Sequence, residues 1–424
     1  MNTTIQNTTK YKNSPLGLIP EDWDIKTLGE VTDYIKGFAF SSSDYTTEGI
    51  RIIRISDTTS TSIKDEGAIY MNIDDAPKYK KWELQLNDLV FTTVGSRPPM
   101  YDSMVGKVIK IEDKYKGSFL NQNAVIIRAK ENTNQEFIYS QFKVKRYLDF
   151  IETIVRGNAN QVSITLDNLF KYQLLFPSSE EQKAIADCLS TWDKAIEKQN
   201  VLIAQKELSK KALMQQLLSG KKRLKGFSGE WKEYSYGEIL KVVKRSVYWN
   251  DDELYKLISV RRRSGGIFYR EALLGSQIMV KNLRNVNDGD FLFSKMQIVH
   301  GASALVTKEF ADSKISGSYI ACVAKNEKEL NMDFFNWLSK LPYFYHQTYI
   351  SSYGVHIEKM TFDFESFLSL DIKLPNVGEQ TAIVNVLQCA DDELQLLKKK
   401  LEQLKEQKKG LMQVLLTGKK RMKY

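Results

Sequence analysis

The chain has 424 residues, 42% hydrophobic and 27% charged, and its 61 Lys and Arg against 52 Asp and Glu leave a net charge of +9. At roughly 100–200 residues per domain this length predicts two to four structural units, and the hydrophobic fraction excludes a largely disordered chain. No run of about 18 apolar residues occurs, so no membrane-spanning helix is expected, and residues 1–13 are too polar for a secretory signal.

In chain order, a polar arm over residues 1–15 is followed by a mixed segment over 16–178. Strand-like runs lie at 50–55, 89–94 and 124–128, and a helical pattern covers 136–151. Residues 179–220 read as one long helix and 221–230 as a linker. A second mixed segment covers 231–376, with strand-like runs at 256–260, 291–293 and 319–323 and a helical pattern at 332–346. Residues 377–418 read as a second long helix, and 419–424 as a basic tail. The fold class expected is α/β, or α+β. Cys188, Cys322 and Cys389 are odd in number and far apart, which suggests a reducing cytoplasm and neither a disulfide framework nor a CxxC metal site.

The two helices belong to an internal repeat. Residues 177–225 align with 375–423 at a constant offset of 198 without a gap, and 20 of the 49 positions are identical. Glu181-Gln182 matches Glu379-Gln380, and Gly220-Lys221-Lys222-Arg223 matches Gly418-Lys419-Lys420-Arg421. A weaker echo precedes each copy: Trp23 with Leu28-Gly29-Glu30, and Trp231 with Tyr236-Gly237-Glu238. The bodies between echo and helix share little residue identity. Pro ahead of each helix and Gly with cations after it are the expected start and stop signals.

Apolar residues along each helix alternate at spacings of four and three, as in a coiled coil. The first seam is Ile185, Leu189, Trp192, Ile196, Ile203, Leu213 and Leu217, interrupted by Gln199, Lys206 and Lys210. The second is Ile383, Leu387, Ala390, Leu394, Leu397, Leu401, Leu404, Leu411 and Leu415, interrupted by Lys408. So narrow a stripe needs a partner helix, and the other copy is the economical one. A pseudo-twofold relation between the halves would make the helices antiparallel, each about 60 Å long at 1.5 Å per residue. The polar interruptions are expected either to specify register or to face a partner.

Catalytic patterns are missing. There is no GxG, no P-loop motif and no Asn/Asp-Pro-Pro-aromatic pattern, and His300, His346 and His356 do not form HExxH. No metal site, cofactor or catalytic residue is expected in this chain, and the last helix leaves no catalytic domain to be placed. The sequence points to a binding and scaffolding protein.

The order Trp, Leu-Gly-Glu, body, Pro, Glu-Gln, helix, Gly-Lys-Lys-Arg, occurring twice, resembles the specificity subunit of type I restriction–modification systems. The resemblance covers essentially the whole chain; the second copy departs with Tyr236 where the first has Leu28. It implies two target recognition domains, each reading one half of a bipartite double-stranded DNA target, and two antiparallel helices that set the unread spacer. It implies two modification subunits that use S-adenosylmethionine, and it allows two restriction subunits that use ATP and Mg2+. It places the chain in a bacterial or archaeal cytoplasm. The alternative class is a coiled-coil protein adaptor without sequence-specific DNA binding.

Base edges are read by Arg, Lys, Asn, Gln and hydroxyl side chains. Candidates on loops beside strands are, in the first body, Lys36, Arg51, Arg54, Ser96, Arg97, Asn121, Gln122, Arg156, Asn158 and Gln161. In the second they are Arg261, Arg262, Arg263, Lys295, Gln297, His300, Tyr353 and His356. The net charge lies elsewhere. Residues 1–176 hold 22 basic and 22 acidic residues and 226–374 hold 19 and 18, whereas 177–225 and 375–424 each hold 10 and 6. The near-neutral bodies are therefore expected to bind DNA weakly alone, and tightly only with the modification subunits.

Overall fold

Each repeated segment folds as an uninterrupted helix of 39 residues, Ser179–Leu217 and Val377–Leu415, in a computed structural model that describes residues 10–59, 62–97, 100, 103–157 and 161–422. The free backbone amides at the helix starts are capped by side chains: Ser178 Oγ accepts from the Glu181 amide at 3.3 Å, and Asn376 Oδ1 from the Glu379 amide at 3.0 Å. Both helices stop at a glycine in the left-handed region, Gly220 (φ 70°) and Gly418 (φ 69°). The amides of Lys222 and Lys420 reach back to the carbonyls of Gln216 and Val414 and satisfy otherwise orphaned acceptors.

The chain forms two compact units. One contains residues 1–200 with 400–424, the other residues 201–399. Each long helix thus gives its first half to one unit and its second half to the other. Within the first unit Ile185 and Leu189 share a core with Met412, Leu415 and Leu416, and Lys408 pairs with Asp193. Within the second, Leu217 and Leu218 share a core with Ile383 and Leu387, while Lys210 pairs with Asp391 and Lys206 with Glu393 at 2.6 Å. Rising numbers on one helix meet falling numbers on the other, so the segments run antiparallel inside each unit.

The seam positions are withdrawn from water. Ile185, Leu189, Ile203, Leu217, Ile383, Leu387, Leu394, Leu401 and Leu415 are buried, and Trp192, Ile196, Leu213, Leu397, Leu404 and Leu411 half-buried. Each fully buried aliphatic side chain contributes roughly 1.5–3 kcal/mol relative to exposure. The polar interruptions Lys206, Lys210 and Lys408 form ion pairs to the opposing helix, and Gln199 is buried. Specific charge pairs of this kind fix register.

The repeated end motifs meet each other. In the first unit the fully buried Glu181 carboxylate accepts from Arg421 Nε at 2.8 Å and Nη2 at 2.7 Å, and from Trp23 Nε1 at 3.0 Å. In the second, buried Glu379 accepts from Arg223 Nε at 2.6 Å and Nη2 at 2.5 Å. The glutamate of each copy therefore holds the arginine of the other. Hydrogen bonding to Glu181 raises the Arg421 pKa further above its ordinary range. The adjacent glutamines tie helix to body: Gln182 Oε1 accepts from the Asn134 amide at 3.0 Å, and Gln380 Oε1 from that of Asn331 at 2.8 Å.

Beneath their sequence divergence the bodies share one topology. Each has a four-stranded antiparallel sheet. Its order in the first body is Val108–Lys110, Leu89–Thr92, Ala124–Ala129, Thr32–Lys36, and in the second Ser303–Leu305, Phe291–Ser294, Tyr319–Ala324, Leu240–Val243. Each body closes on itself by pairing a strand near its start with its last strand, Asp24–Thr27 with Gln173–Phe176 and Lys232–Ser235 with Asp371–Leu374; in the first body the hairpin of Tyr11–Ser14 with Gly17–Pro20 precedes this pair. The last strand then feeds the long helix. The Leu-Gly-Glu echo is a one-turn helix in which Glu30 accepts from the Thr27 amide at 2.5 Å. A Cβ on Gly29 would lie 3.3 Å from Phe170, and one on Gly237 would lie 3.1 Å from the Leu368 carbonyl, so both positions need close approach. A second sheet differs more. In the first body Ile50–Ile53 pairs with Ile69–Met71 and Phe119–Leu120; in the second a long hairpin, Leu254–Val260 with Ile267–Leu274, takes that place.

Two expectations change. The helical patterns at 136–151 and 332–346 are each two helices: Gln135–Gln141 and Lys145–Ile154, and Met332–Leu338 and Pro342–Ile350. Pro342 lacks an amide hydrogen and holds Leu341 extended at φ −81°, ψ 148°. Val144 takes the same conformation without a proline, and Tyr147 beyond it is buried with its hydroxyl donating to the Gly106 carbonyl at 2.5 Å.

Candidate nucleic-acid interface

The candidates converge because the sheet places several strand ends together. In the first body the register pairs Val125 with Lys36 and Ala124 with Thr92. Lys36, the Gln122–Asn123 turn and the chain leaving Thr92 therefore occupy one end of the sheet. Thr93 continues that end, its Oγ1 donating to the Asn123 carbonyl at 2.7 Å. The short pair Val94–Gly95 with Val162–Ser163 then places Gln161 beside Ser96 and Arg97. Arg97 Nη2 donates to the Gly157 carbonyl at 2.9 Å, and Arg156, Gly157 and Gln161 are exposed beside it. Lys36, Gln122, Arg97, Arg156 and Gln161 thus form an exposed polar face, with Ser96 half-buried and accepting from Ser103 Oγ at 2.9 Å. Asn158 lies outside the described residues.

Three first-body candidates are engaged inside the domain. Arg51 pairs with Asp65 at 2.5 Å and its side chain is only 11% exposed. Arg54 grips the buried Asp57 at 2.8 Å and donates to the Gly67 carbonyl. Asn121 is buried, its amide donating to the Ile53 carbonyl and its Oδ1 accepting from the Gln122 amide. These three shape the second sheet and the turn rather than offer free donors. Hydrogen bonds from Lys114, then Arg51 and Tyr115, lower the Asp65 carboxyl to about 2. A folded value below the unfolded one of about 3.9 stabilises the domain above that pH, and the contribution is lost as pH falls through about 2. Acid titration of stability should show this loss between about pH 4 and pH 2 in the wild type and a flatter profile in Asp65→Asn; identical profiles would refute it.

In the second body all the candidates meet at the matching sheet end. Arg263 (φ 57°) and Ser264 (φ 52°) form a left-handed turn whose amides donate to the carbonyls of His300 and Gly301 at 2.7 and 2.9 Å. This fixes the Arg261–Arg262–Arg263 run over the Gln297–His300 turn. The Phe362 amide donates to the Lys295 carbonyl at 2.8 Å, which lays the loop carrying exposed Tyr353 and His356 alongside. Arg261 stacks over Phe268 at 4.4 Å, and the Arg263 side chain has no hydrogen-bond or ion-pair partner among the described residues. Gln297 Oε1 and His300 Nε2 are buried without hydrogen-bond partners.

Sequence reasoning missed Glu358. Its carboxylate accepts from Arg262 Nη2 at 2.8 Å and stands 3.4 Å from His300 Nε2. No local pattern announces it, because Glu358 and Arg262 are 96 positions apart. A carboxylate there competes with DNA for the Arg262 guanidinium and can itself accept from an exocyclic amino group. Glu358→Gln is expected to change base preference in one half-site by about tenfold while leaving the other unchanged, as read by methylation of variant sites. Equal effects on both halves would count against this placement.

Among the described residues no group of three or more His, Cys, Asp or Glu is arranged to hold a metal. Cys188, Cys322 and Cys389 are unpaired, and among the described residues no helix is long and apolar enough to cross a membrane.

The chain is 25% identical over 439 aligned positions, 97% of each chain, to the protein assigned as the specificity subunit of type I restriction enzyme MjaX of Methanocaldococcus jannaschii. It is 28% identical over 222 positions, about half of each chain, to the MjaVIII specificity subunit of the same organism. Its fold is similar to the crystal structure of a type I restriction–modification S subunit from M. genitalium, with TM-score 0.55, 15% identity and coverage of 97% of this chain and 98% of that one. It also resembles a chain from a structural study of complex assembly and conformational transition in the type I system, with TM-score 0.59, 16% identity and coverage of 94% and 99%. A family model, the type I restriction modification DNA specificity domain, matches residues 20–205 and 228–406, and the chain belongs to that family.

Proposed function

We propose that the body of residues 16–178 reads one half of a split double-stranded DNA target and that of residues 231–376 reads the other. The chain is the recognition component and carries no catalytic group of its own. The carrying observation is that one sheet topology presents different polar loops in the two bodies, while the helices and end motifs stay alike. An asymmetric target needs two different readers. Two copies of one modification subunit need two equivalent surfaces. The readers offered are Lys36, Gln122, Arg97, Arg156 and Gln161 in the first body, and Arg262, Arg263, Lys295, His300, Tyr353 and His356 in the second. Methylation by the partner would draw on S-adenosylmethionine, and a restriction partner on ATP and Mg2+, all bound outside this chain. The complex would work in the cytoplasm of a prokaryotic cell.

The test is methylome sequencing of the host with and without this gene. A split adenine-methylated motif that vanishes on deletion and returns with the gene is expected. An unchanged methylome would overturn the reading.

A further inference from the structure

The two bodies share little residue identity, yet one three-residue arrangement recurs in both units. In the first, Lys408 of the second long helix pairs with Asp193 of the first, and Lys143 lies nearby with its ammonium 3.9 Å from the Tyr139 ring centre. In the second, Lys210 pairs with Asp391, and Lys340 lies 4.0 Å from the Trp337 ring centre, with Lys210 itself at 4.9 Å. The helix residues correspond at the repeat offset of 198, and Lys143 and Lys340 both follow the short helix capped by Asn134 or Asn331. Each time, one lysine pairs with the aspartate and a second lysine stands close by over an aromatic ring. Among the described residues neither Lys143 nor Lys340 has a carboxylate within ion-pair distance. Burial, and then repulsion from the neighbouring lysine, pulls Lys408 and Lys340 below the usual lysine range. A second carboxylate would relieve both costs.

The surroundings say what could carry it. In the first unit the lysines rim a pocket of about 450 Å³ floored by Tyr139, Phe142, Leu148, Ile196 and Met412. In the second, Lys210 and Asp391 line a groove of about 270 Å³ with Met214, Leu394 and the Glu207–Lys398 ion pair, and Lys340 stands outside that lining against Trp337. A phosphate on duplex DNA brings no apolar group to fill such a floor. A polypeptide with a carboxylate beside a large apolar side chain matches both halves of the site.

We propose that Lys143 with Lys408, and Lys340 with Lys210, form two corresponding sockets, each receiving an Asp or Glu flanked by an apolar anchor from one modification subunit. This rests on the proposed function and adds the contact chemistry. The fixed Asp193 and Asp391 orient one lysine of each pair and leave the other to the incoming carboxylate.

The test uses the full chain co-expressed with its modification subunit, with assembly read by native mass spectrometry and thermal unfolding as the folding control. The wild type is expected to carry two modification subunits, Lys143→Glu and Lys340→Glu one each, and the double variant none. Arginine at either position should restore the missing subunit, because a cation there suffices. Two subunits retained by the double variant would overturn the sockets, above all if the salt dependence of DNA binding then fell by about one charge per lysine, which would assign them to phosphates. A wild-type chain that takes up no modification subunit would overturn the underlying reading, and this inference with it.

Discussion

Arg421→Ala is expected to destabilise the unit of residues 1–200 and 400–424 by about 2–3 kcal/mol. Losing one partner of a buried pair costs about 3–5 kcal/mol, because the remaining charge is left uncompensated. Glu181 is fully buried, but the Arg421 side chain is 21% exposed, and the glutamate keeps the Trp23 indole N–H and the Met422 amide. Both place the loss below the full value. Hydrogen exchange should show the weakening in that unit and not in residues 201–399. Arg223→Ala should do the reverse, and there Glu379 keeps no side-chain donor among the described residues. Uniform loss of protection in both units by either variant would contradict the reciprocal arrangement.

The second large effect is on recognition. Arg97→Ala with Arg156→Ala should weaken discrimination in the half-site read by the first body only, and Arg262→Ala in the other only. A bidentate arginine–base contact is worth about 1–3 kcal/mol, or about 5- to 150-fold. The magnitude for Arg97 should fall low in that range, since its guanidinium already donates to the Gly157 carbonyl. Methylation of substrates varied in one half at a time separates the outcomes. Arg51→Ala serves as a control. Its partners Asp65 and Tyr115 lie within the body, so it should lower stability without altering preference.

The helices were legible because a long amphipathic helix is a local object. The spacing of Ile383, Leu387, Leu394 and Leu401 needs no tertiary information to imply a seam. The stops were equally local, carried by Gly220 and Gly418, whereas the capping roles of Ser178 and Asn376 emerged from the fold. The position of the readers was half legible. Loops rich in Arg, Asn and Gln could be named, but sequence could not separate Arg156, which faces solvent, from Arg54, which grips Asp57. That distinction depends on an acidic neighbour supplied by folding. The common sheet order of the two bodies was not legible at all. Strand pairing joins positions as far apart as Asp24 and Phe176, and the apolar residues that satisfy one topology are highly interchangeable.

By itself, the sequence determined that this protein is a repeated plan with two long helices, apolar seams and divergent bodies, because repetition and periodicity are properties of the linear chain. Tertiary structure alone decided which charges are spent and which are free. It showed that each repeat's buried glutamate belongs to the other repeat's arginine, that Glu358 holds Arg262, and that a second lysine stands beside each Lys–Asp pair of the seam. The reason is physical: an ion pair forms where folding brings two side chains within a few ångströms, and that distance is set by packing and not by separation along the chain.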